Sequence, residues 1–240
     1  MSLIVGTAGW SIPGKDGDSF GTGASALARY ATRFGGVEIN SSFHRPHRRA
    51  TWERWAAGVP PAFRFAVKVP KSISHERKLV DCGDLLARFL DEIGGLGDKL
   101  AVLLLQLPPR LAFDPSVAEP FLAALTAASS PARLVCEPRH PSWFERAPDA
   151  LLDRLGIARV AADPAVVPAA ALPGGWRGLG YWRLHGSPRI YRSSYDDGRL
   201  DGYAALLRAE RAAGRPAWCM LDNTAASAAT GDALGLVARL

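Results

Sequence analysis

Residues 100–106 read Leu-Ala-Val-Leu-Leu-Leu-Gln, and this apolar run closed by one polar residue decides the fold class. The run does not alternate between apolar and polar residues. Continuous apolar runs of this length are typical of strands covered on both faces, as in parallel sheets. Seven similar runs begin near residues 3, 37, 65, 133, 158, 181 and 217. The sequence therefore predicts a series of parallel strands along the whole chain.

Amphipathic segments lie between most of these runs, with apolar residues at helical spacing. The predicted helices span 25–34, 83–93, 116–128, 148–155 and 201–213, with a shorter candidate at 51–57. The strand starts lie roughly 31 residues apart, which is one strand–helix–strand step. Eight such steps within 240 residues predict an α/β fold, a TIM-type parallel (β/α) barrel. A doubly wound sheet is the main alternative, but no G-x-G-x-x-G turn follows the first strand.

One unit of the predicted barrel is irregular. Residues 163–180 are rich in alanine, glycine and proline, including Pro164, Pro168 and Pro173. Because proline breaks helices, we expect no regular sixth helix, and a barrel that is open or loosely covered there. No linker-like segment interrupts the chain, so residues 1–240 are expected to form a single domain.

The composition predicts an ordered and basic domain. Hydrophobic residues make up 48% of the chain and charged residues 22%, with a formal net charge of +6. A basic balance favours an anionic small molecule or nucleic acid as partner, although an arginine-rich genome gives the same balance. Cys82, Cys136 and Cys219 are far apart, which argues against a zinc finger or a disulfide framework. We see no leader or spanning segment and expect a cytoplasmic protein with no membrane partner.

Polar residues end nearly every predicted strand, at the edge where TIM barrels carry their functional groups. Buried polar groups are costly unless they are paired or used, so we predict one polar, largely cationic site there. The predicted ligand-binding residues are Trp10, Asn40, His44, Lys68, Gln106, Arg139, Trp143, Arg183, Asp222 and Asn223. The predicted catalytic residues are Glu38, Glu137, His140 and His185.

The charged candidates have alternative interpretations. Glu38 or Glu137 would act as a general base, with a histidine as the acid. The alternative for Glu38 is a structural ion pair with Lys68 or Arg183. Glu137 and Arg139 lie on the same side of their strand, so this pair can instead orient itself.

Ten basic residues in the loops after the strands strengthen the expectation of a phosphate-bearing ligand. They are Arg45, Arg48, Arg49, Lys71, Arg77, Lys78, Arg110, Arg139, Arg189 and Arg192. The alternative is a solvated basic rim. We expect no cofactor, since the sequence lacks a close ligand pair such as H-x-x-x-H. A metal-dependent variant would use Glu38, Glu137, Asp163 and His185.

Seven motifs occur in order along almost the whole chain. They are Gly6-Thr7-Ala8-Gly9-Trp10, Val37-Glu38-Ile39-Asn40-Ser41-Ser42-Phe43, Phe65-Ala66-Val67-Lys68, Gln106-Leu107-Pro108-Pro109, Glu137-Pro138-Arg139-His140-Pro141-Ser142-Trp143, Arg183-Leu184-His185-Gly186 and Asp222-Asn223-Thr224. The chain thereby resembles the YecE-like family, also called domain of unknown function seventy-two. The resemblance implies a TIM barrel but no particular reaction. Asp222 stands where the family usually has asparagine, which adds a negative charge.

Three functions compete at this point. The first is a hydrolase or lyase acting on a phosphorylated or nucleic-acid substrate. The second is a module that binds nucleic acid without chemistry, whose affinity would fall steeply with salt. The third is a sugar-phosphate binder, in which Trp10 and Trp143 shape the pocket and stack on a ring.

Overall fold

Ten strands and eight α-helices lie within residues 3–240, which are the residues that this computed structural model describes. The strands are β1 (Leu3–Thr7), β2 (Gly36–Ile39), β3 (Arg64–Lys68), β4 (Leu100–Gln106), β5 (Arg133–Glu137), β6 (Ala158–Arg159), β7 (Ala161–Asp163), β8 (Gly174–Gly175), β9 (Gly180–Leu184) and β10 (Ala217–Leu221). The helices are α1 (Ala26–Tyr30), α2 (Ser41–His44), α3 (Arg49–Ala57), α4 (Gly83–Ile93), α5 (Pro115–Ser129), α6 (Arg146–Arg154), α7 (Asp197–Ala212) and α8 (Ala229–Val237). None of the helices in residues 3–240 is long and apolar enough to cross a membrane.

The strands form two sheets. One has the order β1-β10-β9-β7 and the other β2-β3-β4-β5-β6-β8. Every pairing is parallel except that of β6 with β8. The predicted α/β fold with parallel strands is therefore confirmed, but the sheet hydrogen bonds of the described residues do not close into one ring. The predicted strand 158–162 is divided at Val160, and its halves β6 and β7 belong to different sheets.

Tyr30 explains the break between β1 and β2. Its hydroxyl accepts from the Thr7 amide at 2.8 Å and donates to the Gly36 carbonyl at 3.3 Å. The phenol thus takes the place of direct strand-to-strand hydrogen bonds. The two strands come together directly after β1 ends. There Ala8 forms a β-bridge with Glu38, and the Gly9 amide donates to the Glu38 carbonyl at 2.8 Å.

The sixth unit has no α-helix between β7 and β9 within the described residues. A short 3-10 turn, Pro168–Ala171, and the antiparallel β8 take its place. Arg159 holds this segment, donating to Asp149 Oδ1 and the Ala169 carbonyl, each at 2.9 Å. Side-chain hydrogen bonds therefore replace the packing of a regular helix here.

The predicted helices agree with the structure to different degrees. Helix α4 has the predicted bounds, whereas α1 ends at Tyr30 rather than residue 34. Helix α7 begins earlier than predicted because Asp196 caps it, accepting from the Arg199 amide at 2.9 Å. We did not predict α8 from the sequence.

A buried apolar cluster draws side chains from both sheets and explains where the polar site lies. It comprises Ile4, Ala66, Val102, Leu104, Val135, Ala158, Val160, Leu179, Tyr181, Trp218 and Met220. Side chains two positions apart on a strand share one face. The next inward-facing residues toward the carboxyl ends are therefore Lys68, Gln106, Glu137, Arg183 and Asp222. The inward-facing side chains thus change from apolar to polar between one layer of the interior and the next.

We expect Gly6→Ala to destabilise the protein by about 1–3 kcal/mol, the usual cost of overpacking a buried site. A Cβ at Gly6 would collide with the carbonyl oxygen of Gly36, a backbone atom of the adjoining strand. Chemical denaturation measures the change. The matched control is Gly17→Ala, whose new Cβ meets nothing within 4 Å, and equal losses in the two variants would contradict the close approach of β1 and β2.

Candidate functional site

Seven polar side chains meet at the carboxyl ends of strands from both sheets, and we call them the central cluster. They are Glu38, Lys68, Gln106, Glu137, Arg183, His185 and Asp222, and each is less than a tenth exposed. Charged groups buried to this extent are costly unless they are paired. The pairing inside the cluster therefore decides which members are free to contact a ligand.

Arg183 is the centre of the cluster and is completely buried. Its Nε and Nη2 donate to the two oxygens of Glu38 at 3.0 and 2.6 Å, its Nη1 to Glu137 Oε2 at 2.6 Å, and its Nη2 also to Asp222 Oδ2 at 2.9 Å. Burial alone would lower the pKa of Arg183, but the three carboxylates hold it well above its usual range. In this structure these three carboxylates are the hydrogen-bond partners of the Arg183 guanidinium, the group that we predicted to hold an anionic ligand.

Glu38 is fully buried in a structural ion pair. Besides the bidentate contact with Arg183, it accepts from the Tyr181 hydroxyl at 2.9 Å. Burial, followed by the Glu38 charge, raises the pKa of Tyr181 well above its usual range. The structure therefore corresponds to the ion-pair alternative for Glu38, and leaves its carboxylate without contact to solvent as a general base.

Glu137 is equally occupied. Its Oε1 accepts from Arg139 Nε at 2.8 Å, and its Oε2 from Gln106 Nε2 at 3.0 Å and from Arg183. Burial alone would raise the pKa of Glu137, but Arg183, Arg139 and His185 hold it well below its usual range. A carboxylate stabilised in this way is a weak proton acceptor, and Glu137 contacts both arginines.

His185 lies between two carboxylates and is 1% exposed. Its Nε2 is 2.9 Å from Glu137 Oε1 and its Nδ1 is 3.0 Å from Asp222 Oδ2. Arg139 Nη2 also lies 3.0 Å from Nε2. A protonated ring donates to both carboxylates, whereas a ring protonated only on Nδ1 accepts from Arg139. Either arrangement ties β5, β9 and the end of β10 together.

Lys68 differs from the other cations of the cluster. Its side chain is packed away and the residue is only 7% exposed, yet no carboxylate of residues 3–240 lies within 4.0 Å of Nζ. Nζ makes no hydrogen bond to the described residues and sits 4.0 Å from the centre of the Phe43 ring. Burial first, and then Arg183, lowers the pKa of Lys68 from 10.5 to about 8, partly offset by the carboxylates.

The partly exposed groups around Lys68 form the open side of the cluster. Arg139 keeps 21% of its side chain exposed while paired with Glu137. His75, on the π-helical turn Ser72–Glu76, packs its ring against Phe43 at 4.9 Å. Burial, followed by the charges of Lys68 and Arg139, lowers the pKa of His75. His75 was not among the predicted ligand contacts, although its position after a strand was a signal for it.

Tyr191 was also missed by sequence reasoning. Its ring packs edge-on against His185 at 5.6 Å and the residue is 41% exposed. Its φ of 66° lies in the left-handed region, which is uncommon for an aromatic residue. The histidine that it packs against lies six residues earlier, directly after β9 ends.

Two cavities are each lined by a residue that contacts the cluster, although no member of the cluster lines either of them. One of about 570 Å³ is bounded by Trp10 and Asn40, and Asn40 Nδ2 donates to Asp222 Oδ1 at 3.3 Å. The Trp10 ring packs edge-on against Trp55 at 5.1 Å. The other cavity, of about 300 Å³, is bounded by Phe43. Both volumes are in or near the range of small-molecule sites.

Besides Trp10, Asn40 and Arg139, four predicted residues lie outside the cluster. Trp143 is 1% exposed and donates to the Leu111 carbonyl at 3.0 Å, so it packs under a loop rather than stacking on a ligand. Asn223 is fully buried and donates to Asp232 Oδ2 at 2.6 Å. His140 caps the 3-10 turn Pro141–Phe144, and His44 is exposed on α2.

The four hypothetical metal ligands do not form one group: His185 contacts Glu137 at 2.9 Å, but Asp163 has other partners. Asp163 accepts from the Tyr195 hydroxyl at 2.7 Å and from Arg199 Nη2 at 2.6 Å. Glu38 and Glu137 are each bound to Arg183. Within residues 3–240 there is no group of three or more His, Cys, Asp or Glu side chains arranged to hold a metal ion.

The basic loops surround the same face as the cluster. Arg49 pairs with Glu53 and Asp91, and Lys71 pairs with Glu76 at 3.1 Å. Seven others have no carboxylate within 4.0 Å in the described part of the chain, namely Arg45, Arg48, Arg77, Lys78, Arg110, Arg189 and Arg192. Part of the rim therefore carries uncompensated positive charge.

Comparison with known sequences gives a match over nearly the whole chain. The sequence profile of the family described as "Protein of unknown function DUF72" matches residues 4–240. The protein named UPF0759 protein YecE from Escherichia coli K12 is 28% identical over 173 residues, and so is its namesake from Escherichia coli O157:H7. These matches cover 70% of this chain and 61% of each relative, so the chain matches less than two thirds of their length.

Solved structures of two DUF72 proteins have the same fold. The one from Enterococcus faecalis V583 superposes with a TM-score of 0.82, at 18% identity, over 100% of this chain and 95% of its own. The one from Thermotoga maritima gives a TM-score of 0.80, at 22% identity, over 99% of this chain and 98% of its own. At these identities the likeness concerns the fold alone.

Proposed function

Because the chain belongs to the DUF72 family, whose description names no activity, we propose from the site itself that the central cluster binds a small phosphate-bearing ligand. The observation that carries the proposal is Lys68, whose side chain is largely packed away while its ammonium has no carboxylate within 4.0 Å among the described residues. An uncompensated buried charge is retained at a cost in stability. A ligand phosphate supplies the missing negative charge and hydrogen-bond acceptors.

We also propose that the two sheets are arcs of one TIM-type barrel formed by a single domain. Support comes from the apolar cluster that both sheets share and from the consecutive order β6–β7 at one junction. At the other junction, the bridge between Ala8 and Glu38 joins β1 to β2. In such barrels the ligand site lies at the carboxyl ends of the strands, where the central cluster is found.

The pairing inside the cluster favours binding over acid–base chemistry by its carboxylates. Glu38 and Glu137 each contact Arg183, and the pKa of Glu137 is held well below its usual range after the opposing effect of burial. Both hold the arginine that forms the floor of the site. Lys68 and the partly exposed Arg139 remain on the open side of the cluster.

We expect Lys68→Gln to abolish measurable binding of inorganic phosphate, which the wild-type protein binds at pH 7. At that pH Lys68 is mostly protonated, since its pKa is about 8. Losing a charge-assisted contact costs about 1.5–3 kcal/mol, roughly a ten- to hundredfold weaker affinity. Isothermal titration calorimetry measures it. Lys71→Gln is the matched control, because Lys71 is exposed and already paired with Glu76.

The outcomes of this titration are distinct. Loss of affinity in Lys68→Gln but not in Lys71→Gln supports the proposal. Equal affinities in both variants, or no binding of phosphate and sugar phosphates by the wild type, would contradict it.

Nucleic-acid binding is a second candidate, supported by the unpaired basic residues of the rim. Such binding depends on phosphate contacts and weakens steeply as salt rises. An oligonucleotide titration at two salt concentrations separates the candidates, with Arg77→Gln as the rim variant. Salt-sensitive binding that Arg77→Gln weakens and Lys68→Gln leaves unchanged would favour the rim. Binding of small phosphates without oligonucleotides would favour the central cluster.

A further inference from the structure

The amine of Lys68 has a setting unlike that of the other described lysines. Lys99 Nζ donates to the Ala56 and Val59 carbonyls, each at 2.6 Å, and Lys71 Nζ pairs with Glu76. These contacts occupy the hydrogen-bonding capacity of both amines. Lys68 Nζ makes no such contact within residues 3–240, and only the Phe43 ring lies beneath it. Its lone pair is therefore free for bonding whenever the proton leaves.

We propose that Lys68 forms a covalent imine with the carbonyl carbon of a small phosphorylated aldehyde or ketone bound in the central cluster. This deepens the proposed function and rests on it, since the site must first hold the phosphate. Arg139 is the cation placed to contact the phosphate, being partly exposed and oriented by Glu137. The carbonyl end of a short ligand then reaches the neighbouring Nζ.

The charged groups around Lys68 explain how a neutral amine arises at ordinary pH. Arg183 disfavours the ammonium form, and burial disfavours it more strongly. Glu137, Glu38 and Asp222 oppose these effects, and the resulting pKa is about 8. His75 and Arg139 lie on the open side of the cluster. Burial is the main cause that lowers the pKa of His75, and the charges of Lys68 and Arg139 lower it further. A lysine activated by burial and a nearby cation is a recognised nucleophile for carbonyl carbon.

The step balances without any further reagent. The Nζ lone pair forms a bond to the carbonyl carbon, and the electron pair of the C=O π bond moves to oxygen. The two amine protons pass to that oxygen, which leaves as water, so that an amine and a carbonyl give an imine and water. His75 is the neighbouring ring that can relay one of these protons. Its Nδ1 is hydrogen-bonded to Ser74 Oγ at 2.9 Å, whereas its Nε2 makes no hydrogen bond to the described residues.

Reductive trapping tests the inference. Wild-type protein is incubated with glyceraldehyde 3-phosphate and sodium cyanoborohydride near pH 7.5, and the modified lysine is located by peptide mass mapping. We expect Lys68 to be labelled at least about tenfold faster than exposed Lys71, because its neutral fraction is far larger. Inorganic phosphate should slow the labelling, and glyceraldehyde without the phosphate should label Lys68 more slowly.

Two variants complete the experiment. Lys68→Arg cannot form this imine, so labelling at position 68 should disappear. Lys71→Arg should leave the labelling of Lys68 unchanged. Labelling of Lys68 no faster than that of Lys71 overturns the imine, and the proposed function still stands if calorimetry detects phosphate. If Lys68 is labelled rapidly but equally fast by glyceraldehyde and in the presence of inorganic phosphate, the amine is reactive but the phosphate site is overturned.

Discussion

Arg183→Met is expected to lose about 3–5 kcal/mol of the free energy of unfolding, the usual cost of breaking a buried ion pair from one side. The substitution keeps most of the side-chain volume but removes five donors. Glu38, Glu137 and Asp222 would each lose a hydrogen-bonded partner, and the first two are fully buried. Urea denaturation followed by circular dichroism measures the loss.

The matched control for this prediction is Arg154→Met. Arg154 also forms an ion pair, with Glu119, but both side chains are more than half exposed. Exposed pairs contribute about 0–1 kcal/mol, so the control should be almost as stable as the wild type. A loss in Arg183→Met no larger than that in Arg154→Met would show that the cluster is not held together by Arg183.

Lys68→Met is expected to have the opposite effect and to stabilise the ligand-free protein by about 3 kcal/mol at pH 7. The figure follows from the fall in the pKa of Lys68 from 10.5 to about 8, caused first by burial and then by Arg183. Methionine fills a similar volume without a charge. Sites kept for binding often cost stability in this way, so the same variant should lose phosphate binding.

The pH dependence provides the control for Lys68. Since the folded-state pKa lies below the unfolded one, the unfolded chain binds more protons between about pH 8 and 10.5. Wild-type stability from this group therefore rises with pH across that window, and the penalty is fully present below pH 8. The advantage of Lys68→Met should shrink as pH rises from 7 to 10. A destabilised Lys68→Met, or an advantage independent of pH, would contradict this account. Lys71→Met should change stability by less than about 0.5 kcal/mol.

The regular parts of the fold were predictable from local patterns. The continuous apolar run 100–105 gave β4, and the helical spacing of apolar residues gave α4 with its observed bounds. The position of the polar site followed from strand alternation, which places Lys68 and Arg183 one step beyond the apolar interior. These features depend only on residues close in sequence.

Other features depend on partners that are distant in sequence. Tyr30 separates β1 from β2 through contacts with Thr7 and Gly36, so no pattern in either strand predicts the break. Trp143 ends in a packed position because Leu111 accepts its indole proton. Asn223 is likewise held by Asp232, on α8, a helix that we did not predict.

The sequence also does not indicate which charged residues of the cluster pair with one another. Both carboxylates proposed as bases carry the same local signals as a catalytic residue, namely a charge within an apolar strand. Only the contact of Glu38 with Arg183, 145 residues away, shows that its charge is already balanced. The free cation, Lys68, is identified by the absence of such a partner among the described residues rather than by its own motif.

The most direct test of the ligand site is a pH titration of Lys68 by NMR, using protein labelled with ¹⁵N at the lysine side chains and assigned with Lys68→Arg. The site proposed here predicts that the pKa of Lys68 is about 8 in the free protein. It also predicts that added phosphate raises this pKa, because a bound anion favours the ammonium form. A Lys68 resonance that titrates near the ordinary lysine value of about 10.4 and does not respond to phosphate would contradict it.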